Sequence, residues 1–203
     1  MKSFYKVVVA FLPAVLFIMS TNATVPHIDI NRTAQKAREG LIYCRQKGYN
    51  TNYCILIDMG LPSGVKRFMV WDFHKNKTLI SGLISHGCGK SPWSGVWSSN
   101  KPAFSNIDGS HCTALGKYRV TNRSGSAWGI RVKYELIGLE PSNNNALKRQ
   151  IVFHSWEQVS ETEVYPNGTP EGWGCPAISN NVMKTVDALI RKQKKHLLFW
   201  IYS

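Results

Sequence analysis

The sequence predicts a mainly β, single-domain fold with flanking helices, and three observations carry that expectation. The chain has 203 residues, enough for one domain with a sizeable core and too few for two ordinary ones. It is 43% hydrophobic with seven tryptophans, which excludes a disordered polymer. From residue 53 onward, short β-branched or aromatic runs alternate with segments of turn composition, and helical spacing is confined to one stretch near each end.

The first 23 residues differ from the rest. "MKSFYK" carries two lysines, "VVVAFLPAVLFIM" is apolar apart from Pro13, and "STNA" is small and polar. That order is the one found in a secretory signal, with Thr21 and Ala23 at the −3 and −1 positions of a cleavage site. The apolar run falls short of the roughly 20 residues that span a bilayer. The expectation is export to the periplasm or cell envelope with cleavage near Ala23, leaving a soluble protein. The expected division is residues 1–23 as signal, 24–52 as an N-terminal helical segment and 53–203 as the main domain.

Residues 31–48 read as an amphipathic helix, with Ala34, Ala37, Leu41 and Cys44 at helical spacing and Gly48 as its C-cap. Residues 53–60, 66–73 and 77–87 then read as three strands, separated by "LPSG" and "HKNK", and suggest an antiparallel meander. Residues 88–116 are rich in Gly, Ser, Pro, Asn and Trp and read as a long irregular loop, with Trp93, Trp97 and Phe104 as anchors. Strand character returns at 116–122, 127–139 and 151–156. Residues 179–195 read as a second helix, with Val182, Val186, Leu189 and Ile190 on one side, and "HLLFWIYS" as a closing buried strand.

The formal charge is +13, and removing residues 1–23 takes away Lys2 and Lys6 and no acids, leaving +11. The basic residues are scattered apart from "RKQKKH" at 191–196, with no aromatic-flanked basic repeat or helix-turn-helix spacing, so no nucleic acid is expected. An exported basic protein meets other polyanions, such as wall polymers or a membrane surface.

There are five cysteines, and an odd number leaves at least one unpaired. Export permits disulfides, and pairing Cys44 with Cys54 and Cys88 with Cys112 would leave Cys175 over; free thiols are the alternative. A zinc site built from His86, Cys88, His111 and Cys112 is disfavoured, because H-x-C and adjacent His-Cys seldom chelate one tetrahedral ion. No metal or cofactor is expected, and a monomer is.

Cys175 sits in "EGWGCPAIS", framed by Gly172, Gly174 and Pro176, shortly before the second helix. Glycine lets successive backbone N–H groups converge, the geometry that stabilises a developing oxyanion in acyl transfer. Trp173 completes the loop, and His154 closes the strand "IVFH". A thiol beside such a nest, with a histidine in reach, has the parts for thiolate catalysis. Taken alone, Cys175 would more often be a buried structural thiol; the glycine frame and His154 reverse that weighting. In an enzyme its pKa is expected to be depressed, in a non-catalytic protein ordinary.

Four ordered matches carry a family resemblance: "ILIDMGLPSGVKRFMVWDF", "ISHG" at 84–87, "FSNIDGS" with "LGKYRV" between 104 and 120, and His154 with "GWGCPAIS". The stretch from about 53 to 178 resembles the YkuD-type L,D-transpeptidase catalytic domain, in its murein L,D-transpeptidase-like branch. That family's pattern is His, 14 to 17 residues, Ser or Thr, any residue, Gly, Cys; here 17 residues separate His154 from Gly172. The chain departs from it in Gly172, where a hydroxyl is usual, in Glu171, where the branch often has Arg, and in "SHCTALG".

The resemblance implies a YkuD-like β-sandwich or barrel and an acyl transfer on peptidoglycan stem peptides. Cys175 would be the nucleophile, His154 the base and then the acid, and the N–H groups of Gly174 and Cys175 the oxyanion donors. His86, Gly87 and Ser110 would line the substrate site, His86 also being readable as a structural loop histidine. Resolution of the thioester by an amine or by water stays open. So do a basic, non-catalytic wall-binding protein on the same fold and a secreted effector with another acceptor.

Overall fold

In the computed structural model, which describes residues 25–91 and 102–203, two helices pack against one mixed sheet. The expected signal segment, Trp93 and Trp97 lie outside the described residues. The first helix, α1 (Ile30–Lys47), begins where Asp29 accepts hydrogen bonds from the N–H groups of Asn31 and Arg32. It ends at Gly48, whose φ of 71° is the left-handed cap that glycine adopts without Cβ strain. No helix among the described residues is long and apolar enough to cross a membrane.

The strands are β1 (Tyr53–Asp58), β2 (Phe68–Asp72), β3 (Lys77–Gly82), β4 (Gly116–Gly125), β5 (Val132–Gly138), β6 (Val152–Ser155), β7 (Ala177–Ile178) and β8 (Leu198–Tyr202), with α2 (Asn180–Arg191) between the last two. They form one eight-stranded sheet in the order β3-β2-β1-β8-β4-β5-β6-β7. β1 runs parallel to β8 and β6 parallel to β7, and the other neighbours are antiparallel. A bridge between Ile84 and Ile178 brings the chain after β3 against β7, so the sheet curls into a nearly closed barrel.

The apolar runs of β1 and β8 follow from burial on both faces. Ile55, Ile57, Phe199 and Ile201 point into the barrel with Tyr118, Val120, Leu136 and Phe153. Cys54, Leu56, Leu198 and Trp200 face Ala37 and Cys44 of α1. A strand covered on both sides has no polar face to alternate with. β4 does alternate, with Tyr118 and Val120 buried and Lys117 and Arg119 less so. Met183 and Val186 of α2 fill the barrel core. The expected meander and both helices are present; the polar end of the second expected helix, residues 192–195, falls beyond α2.

The cysteine pairing requires correction: all five are free thiols. Cys44 and Cys54 sit together, unbonded, in the layer between α1 and the sheet, where burial pushes Cys44 up to about 12. Cys88 and Cys112 each turn to a local carbonyl instead, Cys88 Sγ toward Gly89 O at 3.8 Å and Cys112 Sγ toward Ser110 O at 3.3 Å.

Candidate active site

His154 lies on β6 and Cys175 two residues before β7, and the two strands pair in parallel with His154 opposite Ala177. Both side chains line one cavity of about 420 Å³, walled also by Ser85, Trp128, Trp156 and Trp173. His154 Nδ1 lies 2.9 Å from the Ser155 carbonyl. A carbonyl only accepts, so Nδ1 carries the proton and Nε2 is the ring's acceptor nitrogen.

The Ser155 carbonyl is itself held in place. The turn at 127–131 folds over it, with Ile130 N–H donating to Ser155 Oγ at 3.0 Å. At Gly129, whose φ is +56°, an added Cβ would fall 2.1 Å from Ser155 Oγ and 2.4 Å from its carbonyl oxygen. Only glycine allows that approach.

Cys175 Sγ accepts from Val152 N–H at 3.4 Å and lies 3.8 Å from Gln150 O. Burial pushes the thiol pKa up, opposed by the Val152 N–H and by the charges of Arg149 and Lys133. Burial likewise lowers His154, opposed by its bond to Ser155. The expectation of a depressed thiol is therefore reversed in direction. At neutral pH the pair rests as thiol and imidazole, because neither charged form is solvated well enough in this cavity.

Gly174 has a φ of +100°, and a Cβ there would meet Cys112 O at 2.6 Å. That conformation turns the loop back just before Cys175. Neither the Gly174 nor the Cys175 N–H donates to a backbone acceptor among the described residues. At Gly172, by contrast, a Cβ would come no nearer than 3.8 Å to the Cys175 carbonyl.

The amino-acid sequence matches the YkuD_2 family, described as the L,D-transpeptidase catalytic domain, over residues 27–202. The chain belongs to this family. Its L,D-transpeptidase-type enzymes modify peptidoglycan and act on its stem peptides. No curated protein matches the chain. Among solved structures it is similar to the helical cell shape determining protein Pgp2 from Campylobacter jejuni, at 12% identity and a TM-score of 0.46 over 74% of this chain and 47% of that one. A variant of Pgp2 gives 13% identity and a TM-score of 0.45 over 84% and 56%. An L,D-transpeptidase from Xylanimonas cellulosilytica gives 11% and 0.37 over 79% and 68%. The chain spans about half the length of the Pgp2 chains.

Within this L,D-transpeptidase-family site the expected residues separate into two groups. Cys175, His154, Gly172 and Trp173 line the first cavity. His86, Gly87 and Ser110 line a second one of about 640 Å³, together with Cys88, Cys112 and Glu171. His86 is wholly buried, so its side chain bears on the loop rather than on the first cavity. Gly87 crosses under the Ser110–Cys112 segment so closely that a Cβ would fall 2.0 Å from His111 O.

His111 stacks on Trp173 with ring centroids 5.1 Å apart, and Trp128 meets Trp156 edge-on at 6.1 Å. Trp173 is 64% exposed and Trp128 50%, so two open indole faces flank the cavity of Cys175.

Arg149 is a site residue that sequence reasoning missed. It donates to Ser105 O at 2.9 Å and Cys112 O at 2.6 Å, tying the 105–112 loop beside Gly174 and lending its charge to Cys175. The available signal was a lone arginine in the polar turn leading to β6. Val152 and Ser155, which act through their backbones, left none.

Proposed function

We propose that this protein is an exported L,D-transpeptidase that acylates Cys175 with a peptidoglycan stem peptide and passes the acyl group to an amine. The observation that carries the reading is the shared cavity of Cys175 and His154, with His154 Nδ1 committed to the Ser155 carbonyl.

The reaction starts from the neutral pair. His154 Nε2 takes the thiol proton as Sγ attacks the carbonyl between the third stem residue and the terminal D-alanine, which makes proton transfer part of the attack. The tetrahedral oxyanion is received by the N–H groups of Gly174 and Cys175. As the C–N bond breaks, the imidazolium returns its proton to the departing D-alanine amine, leaving the thioester. An acceptor amine then attacks, losing its proton to His154, and the thiol is released protonated. Water in place of the amine gives an L,D-carboxypeptidase from the same intermediate. Export through residues 1–23 would place the enzyme with its substrate.

The test is the intact mass of the protein after incubation with a carbapenem, whose strained amide acylates such thiols, beside a Cys175→Ala control. One stoichiometric adduct, absent from the control, is expected. No adduct on folded protein with a free thiol would overturn the reading in favour of a wall-binding role.

A further inference from the structure

Three ionisable side chains beneath the loop take no part in this chemistry. Arg67, just before β2, is 0% exposed; His86, in the segment after β3, is 0% exposed; and Glu171, immediately before Gly172, is 3% exposed. Arg67 Nη2 lies 2.9 Å from His86 Nδ1. A guanidinium has donors only, so Nδ1 accepts and the ring proton sits on Nε2. That ring proton faces the carboxylate of Glu171, with Nε2 3.3 Å from Oε1. Burial, helped by the charge of Arg67, lowers the His86 pKa to about 3, in keeping with a neutral ring set between cation and carboxylate.

Each end is fixed. Arg67 also donates to Ile84 O at 3.0 Å and to Leu61 O at 2.9 Å. On the loop side, Gly172 N–H donates to His86 O and Cys88 N–H to Gly172 O, both at 2.9 Å. Gly172 has no side chain of its own, so the side-chain hold on this end of the loop falls to Glu171. A buried carboxylate placed against that ring has little freedom, because moving away from it adds to the cost that desolvation already imposes.

We infer that Arg67, His86 and Glu171 form a positioning relay that fixes where the Gly172–Cys175 loop presents its oxyanion N–H groups. Its effect on rate rests on the acyl-transfer reading above; its effect on the loop does not.

The test uses the full chain with Glu171→Ala and Glu171→Gln, following backbone amide exchange of the peptide spanning 170–178 and the rate of carbapenem acylation. Glu171→Ala is expected to raise exchange in that peptide about tenfold or more, with β1 and β8 unchanged, since a released loop opens locally. Acylation should fall by about tenfold or more as the oxyanion donors lose their aim. Glu171→Gln keeps an acceptor for His86 Nε2 and should return both readouts to within about threefold of the unmodified protein.

Unchanged exchange in Glu171→Ala would overturn the relay, as would a rise shared by β1 and β8 or a glutamine no better than alanine. If the unmodified protein is never acylated, the acyl-transfer reading falls and the exchange comparison still decides the relay. If Glu171→Ala does not fold, Arg67→Lys, which keeps the charge and loses the forked donors, must show the same loop-confined rise for the relay to stand.

Discussion

Replacing Gly174 with alanine should disable acylation, whereas replacing Gly172 with serine should not. At Gly174 the backbone sits at φ +100°, and the new methyl would lie 2.6 Å from Cys112 O and 3.3 Å from an Arg149 nitrogen. The conformation alone costs a non-glycine residue about 1–2 kcal/mol. Relieving the overlap moves the loop or the Cys112 carbonyl that Arg149 holds, so about 2–3 kcal/mol in all is a reasonable sum. For a domain of this size that lowers Tm by about 4–12 °C. The larger effect is on rate, because the moved peptide carries a proposed oxyanion donor, and losing one donor costs about 10²–10³ in turnover. Gly172 has no positive φ and open space to 3.8 Å, so a serine side chain fits without displacement and acylation should hold or rise. The assay is the time course of carbapenem adduct formation by intact mass, with thermal unfolding in parallel. A Gly174→Ala protein acylating at the unmodified rate would refute the argument, as would a Gly172→Ser protein that is folded and inert.

Further expectations concern the histidine, the fold's pH response and one ion pair. Gly129→Ala should slow acylation by about tenfold or more, because its methyl would displace the Ser155 carbonyl that sets the His154 tautomer; rates matching the unmodified protein would show that the carbonyl is dispensable. The acid limb of the acylation rate should have its midpoint below the ordinary histidine value of 6.5, since burial favours neutral His154; a midpoint above 6.5 would contradict this. His86 and His154 are both lowered on folding, so the unfolded chain binds protons first. Stability should be full above about pH 6.5 and fall as the pH drops below it, by up to about 1.4 kcal/mol per unit for each group, with the His86 contribution continuing to about pH 3. A Tm that is flat or rising from pH 7 to 5 would count against it. Asp187 accepts from Arg123 at 2.7 and 3.1 Å and from Tyr134 Oη at 2.6 Å. Asp187→Ala should cost about 1.5–3 kcal/mol, seen as a lower Tm with acylation unchanged.

Cys175 and His154 could be singled out because they sit in strongly marked local text. A glycine-framed cysteine and a histidine ending an apolar strand need no distant partner to be noticed. The strands of the meander were legible for the same reason, their period and turns being local. The two-residue β7 was not, since Ala177 and Ile178 follow a proline and are too few to show a period. For His86 the sequence left two readings open, lining the substrate site or bracing the loop, because sequence cannot show what lies beneath a segment. Arg67, 19 residues away, pairs with it from below, a contact with no local signal in the sequence. The cysteine pairing failed on the same ground. The count was correct, but carbonyls beside Cys88 and Cys112 and the apolar layer around Cys44 and Cys54 settle each sulfur separately.

The position of β8 has a consequence for how the molecule assembles. The β1–β3 meander and the β4–β6 set are each built from neighbours in sequence, yet they touch the same central strand and meet across it. Until Leu198–Tyr202 inserts, β1 and β4 both present bare edges. Joining them closes long loops late, so barrel closure is expected to be the slow step of folding. The same gap makes the incomplete chain the state most exposed to self-association, and a chaperone that shields the two edges would act before β8 arrives.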